Sequence, residues 1–243
     1  MTSPRDDLVL RFRRSERWLH WALAIPFVVC LGSAVVLITL YNFSPGRPHR
    51  DLVSDAHKAG GVALIALPIL ALLGRPAELK IHFSNVRQAW GWTLNDLKWL
   101  VLLAASAVTK RVRLPEQGKF NAGEKLNFMS VMTSYPLFIL TGILIWLPGA
   151  NLLAWLAHVT FALAVAPLVV GHVYMAVINP GTRTGLPGMV SGYVDREWAR
   201  EHYQEWYRDT FGDETAAQIG ADTHQIGAPE AEPSPSVGVP AGR

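Results

Sequence analysis

Two histidines stand in a run of 27 residues that carries no formal charge. Leu152 to Ile178 reads LLAWLAHVTFALAVAPLVVGHVYMAVI and holds His158 and His172. A run of that length is a transmembrane helix candidate, and lipid offers an imidazole nitrogen no partner, so each histidine there needs a reason. The two are 14 residues apart. At 3.6 residues per turn they return to within about 40° of one face, with roughly 21 Å of rise between them. One helix face thus presents two imidazoles, one toward each membrane surface.

Two further histidines sit at the right depths to partner them. His20 lies near the start of the first apolar run and His57 opens the second. With both termini inside, His57 and His158 fall toward the outer surface and His20 and His172 toward the inner one. Two His–His pairs stacked across a bilayer suit two six-coordinate b-type haems, because imidazole is a regular axial ligand of haem iron. Two strong axial ligands leave no open position, which favours electron transfer over oxygen binding. Ligands projecting inward from facing helices are how bundles build cofactor sites. Gly60, Gly61 and Gly171 flank the ligands and leave clearance for a flat macrocycle, although glycine is common in membrane helices in any case. A proton relay or transport path is the competing use of such histidines. Another transition metal suits them less, since the spans lack acidic ligands. His49, His82, His202 and His224 lie in loops or the tail and read as solvated surface residues.

The elements that must position these residues follow from the apolar blocks. The chain is 50% hydrophobic and only 17% charged, against about 25% charged for soluble domains. The spans are expected at about 18–40, 57–74, 126–147 and 152–178, with a loop over 75–124; the second is short for a span. Each holds one proline: Pro26, Pro68, Pro136 and Pro167. Within the loop, Leu97 to Val108 is too short to cross and reads as an interfacial helix. The fold expected is an all-α membrane protein, a four-helix transmembrane bundle binding two b-type haems.

Lys and Arg set its orientation. The first 17 residues hold five, the loop at 41–56 two, the loop at 75–124 eight, the short third loop none, and the tail from Asn179 five. The alternation puts both termini and the long loop in the cytoplasm. The organisation is therefore a basic cytoplasmic N-terminus (1–17), the four-helix domain (18–178), an amphipathic cytoplasmic tail (179–211) and a low-complexity, disordered tail (212–243). Val194 to Phe211 is expected as one surface helix. The N-terminus is too charged to be an ordinary cleaved signal, so the first span is expected to remain as an anchor. The single cysteine, Cys30, excludes a disulfide within the chain and a C-x-x-C-H haem attachment. The net charge of +3 is small and no nucleic-acid partner is expected.

Five pieces of the chain resemble the cytochrome b (gamma) subunit of membrane-bound formate dehydrogenase, from about Arg11 to Tyr207. They are R-F-x-x-x-E-R-x-L-H-W at Arg11 to Trp21, D-L-K-W at Asp96 to Trp99 and K-F-N-A-G-E-K at Lys119 to Lys125. The other two are G-H-V-Y-M-A-V-I-N-P-G-T at Gly171 to Thr182 and E-W-A-R-E-H-Y at Glu197 to Tyr203. The resemblance implies two haem b groups with the pairs His57/His158 and His20/His172. It implies an iron–sulfur (beta) partner subunit and a catalytic (alpha) partner with a molybdenum or tungsten pterin, which oxidises formate. Electrons would pass through the outer and then the inner haem to a quinone, menaquinone or ubiquinone, in the bacterial cytoplasmic membrane. Asn121 and Gly123 would hold the quinone, with His172 as its neighbour; the residues alone equally allow Asn121 to be a helix N-cap. Glu124 stands where many members are expected to have Gln, either aiding proton uptake or facing water. The resemblance extends to cytochrome b subunits of hydrogenases, thiosulfate reductases and other respiratory oxidoreductases. A haem-free anchor or small transporter is the alternative of another class.

Overall fold

The structure, a computed structural model, describes residues 7–41, 46–106, 108–109, 112–149 and 151–212. Four helices are long and apolar enough to cross a membrane: Arg14–Tyr41, Arg50–Leu73, Ala122–Trp146 and Leu152–Ile178. The first is α1 (Arg14–Val36), prolonged by a π-helical turn at Leu37–Tyr41. Glu16 in its first turn accepts the Arg13 N–H at 2.7 Å, satisfying one orphan donor of the helix start. α2 (Arg50–Leu73) starts seven residues before His57, with Asp51 in its first turn and Gly74 at its end. At 24 residues it is long enough to span, where the sequence suggested a marginal segment. Its extra turns are polar, so hydropathy alone cut them off.

Two helices fill the long loop: α3 (Leu79–Trp90), which the sequence reading treated as loop, and α4 (Leu94–Ser106). α4 occupies most of the expected interfacial segment and leaves Leu94, Leu97 and Val101 exposed. α5 (Ala122–Trp146) is capped by Asn121, whose side chain accepts the Glu124 N–H. α6 (Leu152–Val173) is capped by Asn151 and runs on into a π-helical turn, Tyr174–Ile178.

The spans pack chiefly as α1 on α2 and α5 on α6. On α2, Gly60, Leu64, Pro68 and Ala71 are buried, one stripe at helical spacing. Gly60 permits the close approach of α1. A Cβ there would stand 2.8 Å from the Cys30 Sγ and 3.3 Å from the Pro26 carbonyl. The pairs are joined where the Tyr135 hydroxyl donates to the Leu64 carbonyl at 2.7 Å. Many other apolar span side chains, such as Leu67, Leu70, Leu163 and Val170, are exposed, as lipid-facing surface must be.

The chain ends depart from the all-α expectation. Leu8–Leu10 (β1) pairs antiparallel with Tyr193–Asp195 (β2), in the register Leu8 to Asp195 and Leu10 to Tyr193. The Gly192 carbonyl continues the pairing by accepting the Arg11 and Phe12 N–H groups. Gly192 has φ 102°, and a Cβ there would meet the Phe12 carbonyl at 2.8 Å. Val9 and Val194 are buried with Ala199 and Tyr207 under Trp198, Trp206 and Phe211. The single surface helix expected over Val194–Phe211 is therefore a strand and two helices, α8 (Arg196–His202) and α9 (Gln204–Phe211), preceded by a short α7 (Leu186–Val190). Extended backbone at Val194 is what lets β1 bond to it, and the turn between α8 and α9 falls at Tyr203, with φ −138° and ψ 56°. The expectations for residues 1–6 and for the tail beyond Gly212, His224 included, lie outside the described residues.

Candidate functional site

The four membrane histidines come together as two pairs. His57 on α2 faces His158 on α6 with ring centres 6.2 Å apart and planes at 71°. His20 on α1 faces His172, also on α6, at 6.3 Å and 59°. These are the pairings that depth along the spans suggested. α6 is the shared wall of both, and its backbone packs closely on α5 rather than on α1 or α2. The imidazoles thus reach across between helices that do not pack tightly there.

The residues fit a haem iron. An imidazole nitrogen bonds a first-row metal at about 2 Å, so two imidazoles trans on one iron place their ring centres roughly 6.3 Å apart. Both pairs match that span. Among the described residues no group of three or more His, Cys, Asp or Glu could hold a metal ion. Each pair therefore offers two ligands, as a macrocycle that brings its own four requires and as a closed zinc site does not. The other ring nitrogen is already occupied in the His57/His158 pair. His57 Nδ1 lies 3.0 Å from the Cys30 carbonyl and 2.9 Å from the Ser33 Oγ. His158 Nδ1 lies 2.8 Å from the Thr141 Oγ1. That leaves Nε2 of each ring for a metal. Phe138 packs edge-on against His158 at 5.5 Å.

Ser33, Thr141 and the Cys30 carbonyl were not anticipated from sequence. The available signal was polarity: a hydroxyl inside an uncharged span needs a partner, as an imidazole does. Thr141 is buried in α5, 17 residues before His158.

Buried polar contacts tie the start of α1 to α3 and to the segment that leads into α5. Glu16 accepts from Lys119 at 2.6 Å and from the Asn85 amide at 2.6 Å, and Lys119 also reaches the Asn85 carbonyl oxygen at 2.7 Å. Burial, with Arg11 and Arg13 acting in the same direction, holds the Lys119 amine below its ordinary value despite Glu16. Asp96 on α4 pairs with Lys125 on α5 at 2.9 Å. Burial alone would raise the Asp96 carboxyl, but Lys125 and the Thr93 N–H and hydroxyl outweigh it and hold it below the usual carboxylate range. Arg11 lies over the Tyr203 ring at 3.6 Å and donates to the Lys119 carbonyl.

Asn121 is used as an N-cap. Its Oδ1 accepts the Glu124 N–H at 2.9 Å and its own N–H goes to the Glu124 carboxylate at 2.9 Å. Gln117 takes the Ala122 N–H at 3.0 Å. Glu124 does not simply face water: its second oxygen accepts the Tyr203 hydroxyl at 2.7 Å. Gly123 lies against Trp99 of α4, whose ring a Cβ would meet at 3.6 Å. Two of the histidines read as solvated are not. His82 is half-buried, and burial holds its imidazole below the ordinary value although Glu16 and Glu78 oppose it. His202 stacks on Trp198 at 4.7 Å and its Nδ1 bonds the Trp198 carbonyl. His49 is exposed.

Comparison with known proteins agrees with this architecture. The chain is 29% identical over 217 residues to the nitrate-inducible formate dehydrogenase cytochrome b556(Fdn) subunit of Escherichia coli K12, covering 84% of this chain and 93% of the relative. It is 26% identical over 217 residues to the formate dehydrogenase cytochrome b556(fdo) subunit of the same strain, covering 84% and 94%. It is 25% identical over 223 residues to the formate dehydrogenase cytochrome b556 subunit of Haemophilus influenzae, covering 84% of each. Residues 11–192 match the prokaryotic cytochrome b561 family, a span that takes in all four helices and all four membrane histidines. The chain belongs to that family and is a multi-pass membrane cytochrome b of the bacterial cytoplasmic membrane.

Proposed function

We propose that this chain is the dihaem electron-transfer subunit of a respiratory formate dehydrogenase, passing electrons from an iron–sulfur partner subunit to membrane quinone. The observation that carries it is the pair of imidazole couples at 6.2 and 6.3 Å, set at opposite depths along α6. A b-type haem between two imidazoles supplies a one-electron couple with no open coordination position. His57 and His158 hold the outer group and His20 and His172 the inner one. α6 fixes the step between them, because its histidines share a face roughly 21 Å apart along the axis.

The formate dehydrogenase relatives support assembly with the other subunits of such a complex; in this reading they are an iron–sulfur (beta) subunit and a catalytic (alpha) subunit with a molybdenum or tungsten pterin. The formate-oxidising site belongs to that catalytic partner. Lys and Arg placement supports termini and the 75–124 loop in the cytoplasm. Quinone binds beside the inner pair, against the start of α5. Gln117 and the Asn121 Oδ1 engage the neighbouring N–H groups of the first turn, so the Gly123 N–H and the Asn121 side-chain NH2 are the donors left to meet a quinone carbonyl. With formate oxidised outside and protons taken from the cytoplasm, the subunit contributes to a proton-motive force.

The test is a dithionite-reduced minus oxidised spectrum of the purified protein, with haem extracted and counted. Two b-type haems per chain are expected. A protein purified intact from a haem-replete membrane without a b-type band overturns the reading in favour of an anchor or transporter. Copurification with a hydrogenase or thiosulfate reductase in place of a formate dehydrogenase would overturn the choice of partner alone.

A further inference from the structure

We propose that Ser33 and Thr141 are positioning residues of the outer pair. With the Cys30 carbonyl they hold both Nδ1–H groups, present both Nε2 atoms to one iron, and set the outer couple below the inner one in reduction potential. This rests on the dihaem reading above.

Proton counting fixes the tautomers. A hydroxyl has one proton to give. The Thr141 Oγ1 is 2.6 Å from the Leu137 carbonyl, which can only accept, and 3.4 Å from that of Phe138. Its proton goes to Leu137, so the 2.8 Å contact with His158 is donated by the ring Nδ1–H. The Cys30 carbonyl, 3.0 Å from His57 Nδ1, also only accepts, so that nitrogen carries a proton too. Ser33 gives its own proton to the Val29 carbonyl at 2.7 Å and turns a lone pair to the same ring nitrogen at 2.9 Å. Both outer rings are therefore protonated at Nδ1 and have an unshared pair at Nε2. No water in the bilayer core competes for these bonds.

An acceptor on the distal N–H of a ligating imidazole raises the basicity of the metal-bound nitrogen. A more basic ligand favours the more highly charged, oxidised iron and lowers the potential. The outer pair has three protein acceptors. Among the described residues, no protein group hydrogen-bonds a ring nitrogen of His20 or His172; His20 packs edge-on against Trp21 at 5.2 Å. The asymmetry makes transfer from the outer couple to the inner couple downhill. Only an electron moves in that step; no bond is made or broken and no proton changes place at either pair.

The experiment is a spectroscopic redox titration of the purified protein as wild type, Thr141→Val, Thr141→Ser and Ser33→Ala, with His158→Ala to mark which couple is the outer one. Thr141→Val should keep both haems and raise the midpoint of the outer, lower-potential couple while the inner one stays put. Thr141→Ser should restore the wild-type value. Ser33→Ala should shift the same couple upward by less, because the Cys30 carbonyl remains. Should Thr141→Val lose the outer haem outright, Ser33→Ala still carries the measurement. Full haem content with an unmoved outer midpoint in both variants overturns the proposal, as does an outer couple that titrates above the inner one. A wild-type protein without haem fails the dihaem reading instead.

Discussion

The Tyr203 hydroxyl donates to the Glu124 carboxylate at 2.7 Å, joining the turn between α8 and α9 to the first turn of α5. The other Glu124 oxygen completes the cap with the Asn121 N–H. Tyr203 is 5% exposed. Burial first, and the Glu124 charge second, push its phenol far above the ordinary range, so it remains a donor throughout the stable pH range.

Tyr203→Phe should therefore destabilise the protein by about 1.5–3 kcal/mol, the cost of a lost bond to a charged, partly buried acceptor. Tyr203→Ala should cost more, since it also removes the ring beneath Arg11. Glu124→Gln should be milder than Glu124→Ala, because an amide oxygen can still accept. Melting of the protein in detergent measures the order, and tryptic cleavage at Arg200 should come earlier in the weaker variants. A Tyr203→Phe melting curve superposed on wild type would show that the bond contributes nothing.

The Asp96–Lys125 pair predicts a pH dependence at the acid end. The side chains are 4% and 12% exposed, and removing one partner of such a buried pair costs about 3–5 kcal/mol. The Asp96 carboxyl is held below its unfolded value of about 3.9. Its contribution is then fully present above about pH 4 and is lost as pH falls through the lower, folded value. The stability gap between wild type and Asp96→Asn should be constant from pH 7 to 5 and close only in stronger acid. Paired melting curves across that range decide it; a gap that persists unchanged into strong acid would mean the pair does not titrate as described.

This pair also shows what the motifs were for. Glu16 of the first motif binds Lys119 of the third, Asp96 of the second binds Lys125 of the third, and Tyr203 of the last binds Glu124. The sequence displayed the pieces and, through depth, the histidine pairs. It did not display which charged residue meets which, because those bonds join elements 29 to 103 residues apart. The spans were legible since lipid demands long uncharged runs. The β1–β2 ribbon was not, since three residues per strand leave too short an alternation to see. Ser33 and Thr141 stood out only as hydroxyls inside uncharged spans; a single hydroxyl does not say which histidine it meets until the packing is known.

Gly60 and Gly61 separate packing from clearance. A Cβ at Gly60 would be 2.8 Å from the Cys30 Sγ, whereas at Gly61 nothing lies within 4 Å. Gly60→Val should force α1 and α2 apart at about 1–3 kcal/mol of overpacking strain. It should also disturb Cys30, whose carbonyl holds His57. Gly61→Ala meets no protein atom and should keep the α1–α2 contact and the fold intact. The Gly60 variant should lose outer haem along with stability, read from the reduced spectrum and the melting curve. Equal, wild-type behaviour of the two variants would contradict the close approach of α1 and α2.

The histidine pairs make the strictest prediction. In the dihaem reading proposed above, the two histidines of one pair would serve one iron, so His57→Ala and His158→Ala should give the same spectrum, with one haem lost and the other retained. His20→Ala and His172→Ala should give the complementary spectrum. Each retained haem should keep its own midpoint, because the pairs sit at opposite ends of α6 and share no ligand. Haem counted after extraction should fall by half in all four variants. The pairing fails if His57→Ala and His172→Ala remove the same haem. It fails equally if either member of a pair can be replaced without loss while its partner cannot, because a six-coordinate site with trans imidazoles needs both. Loss of both haems from one replacement is interpreted through melting: a folded protein without either haem speaks against separate sites. An unfolded one calls for His→Met at the same position, which keeps an axial ligand available and should restore the haem with a raised potential.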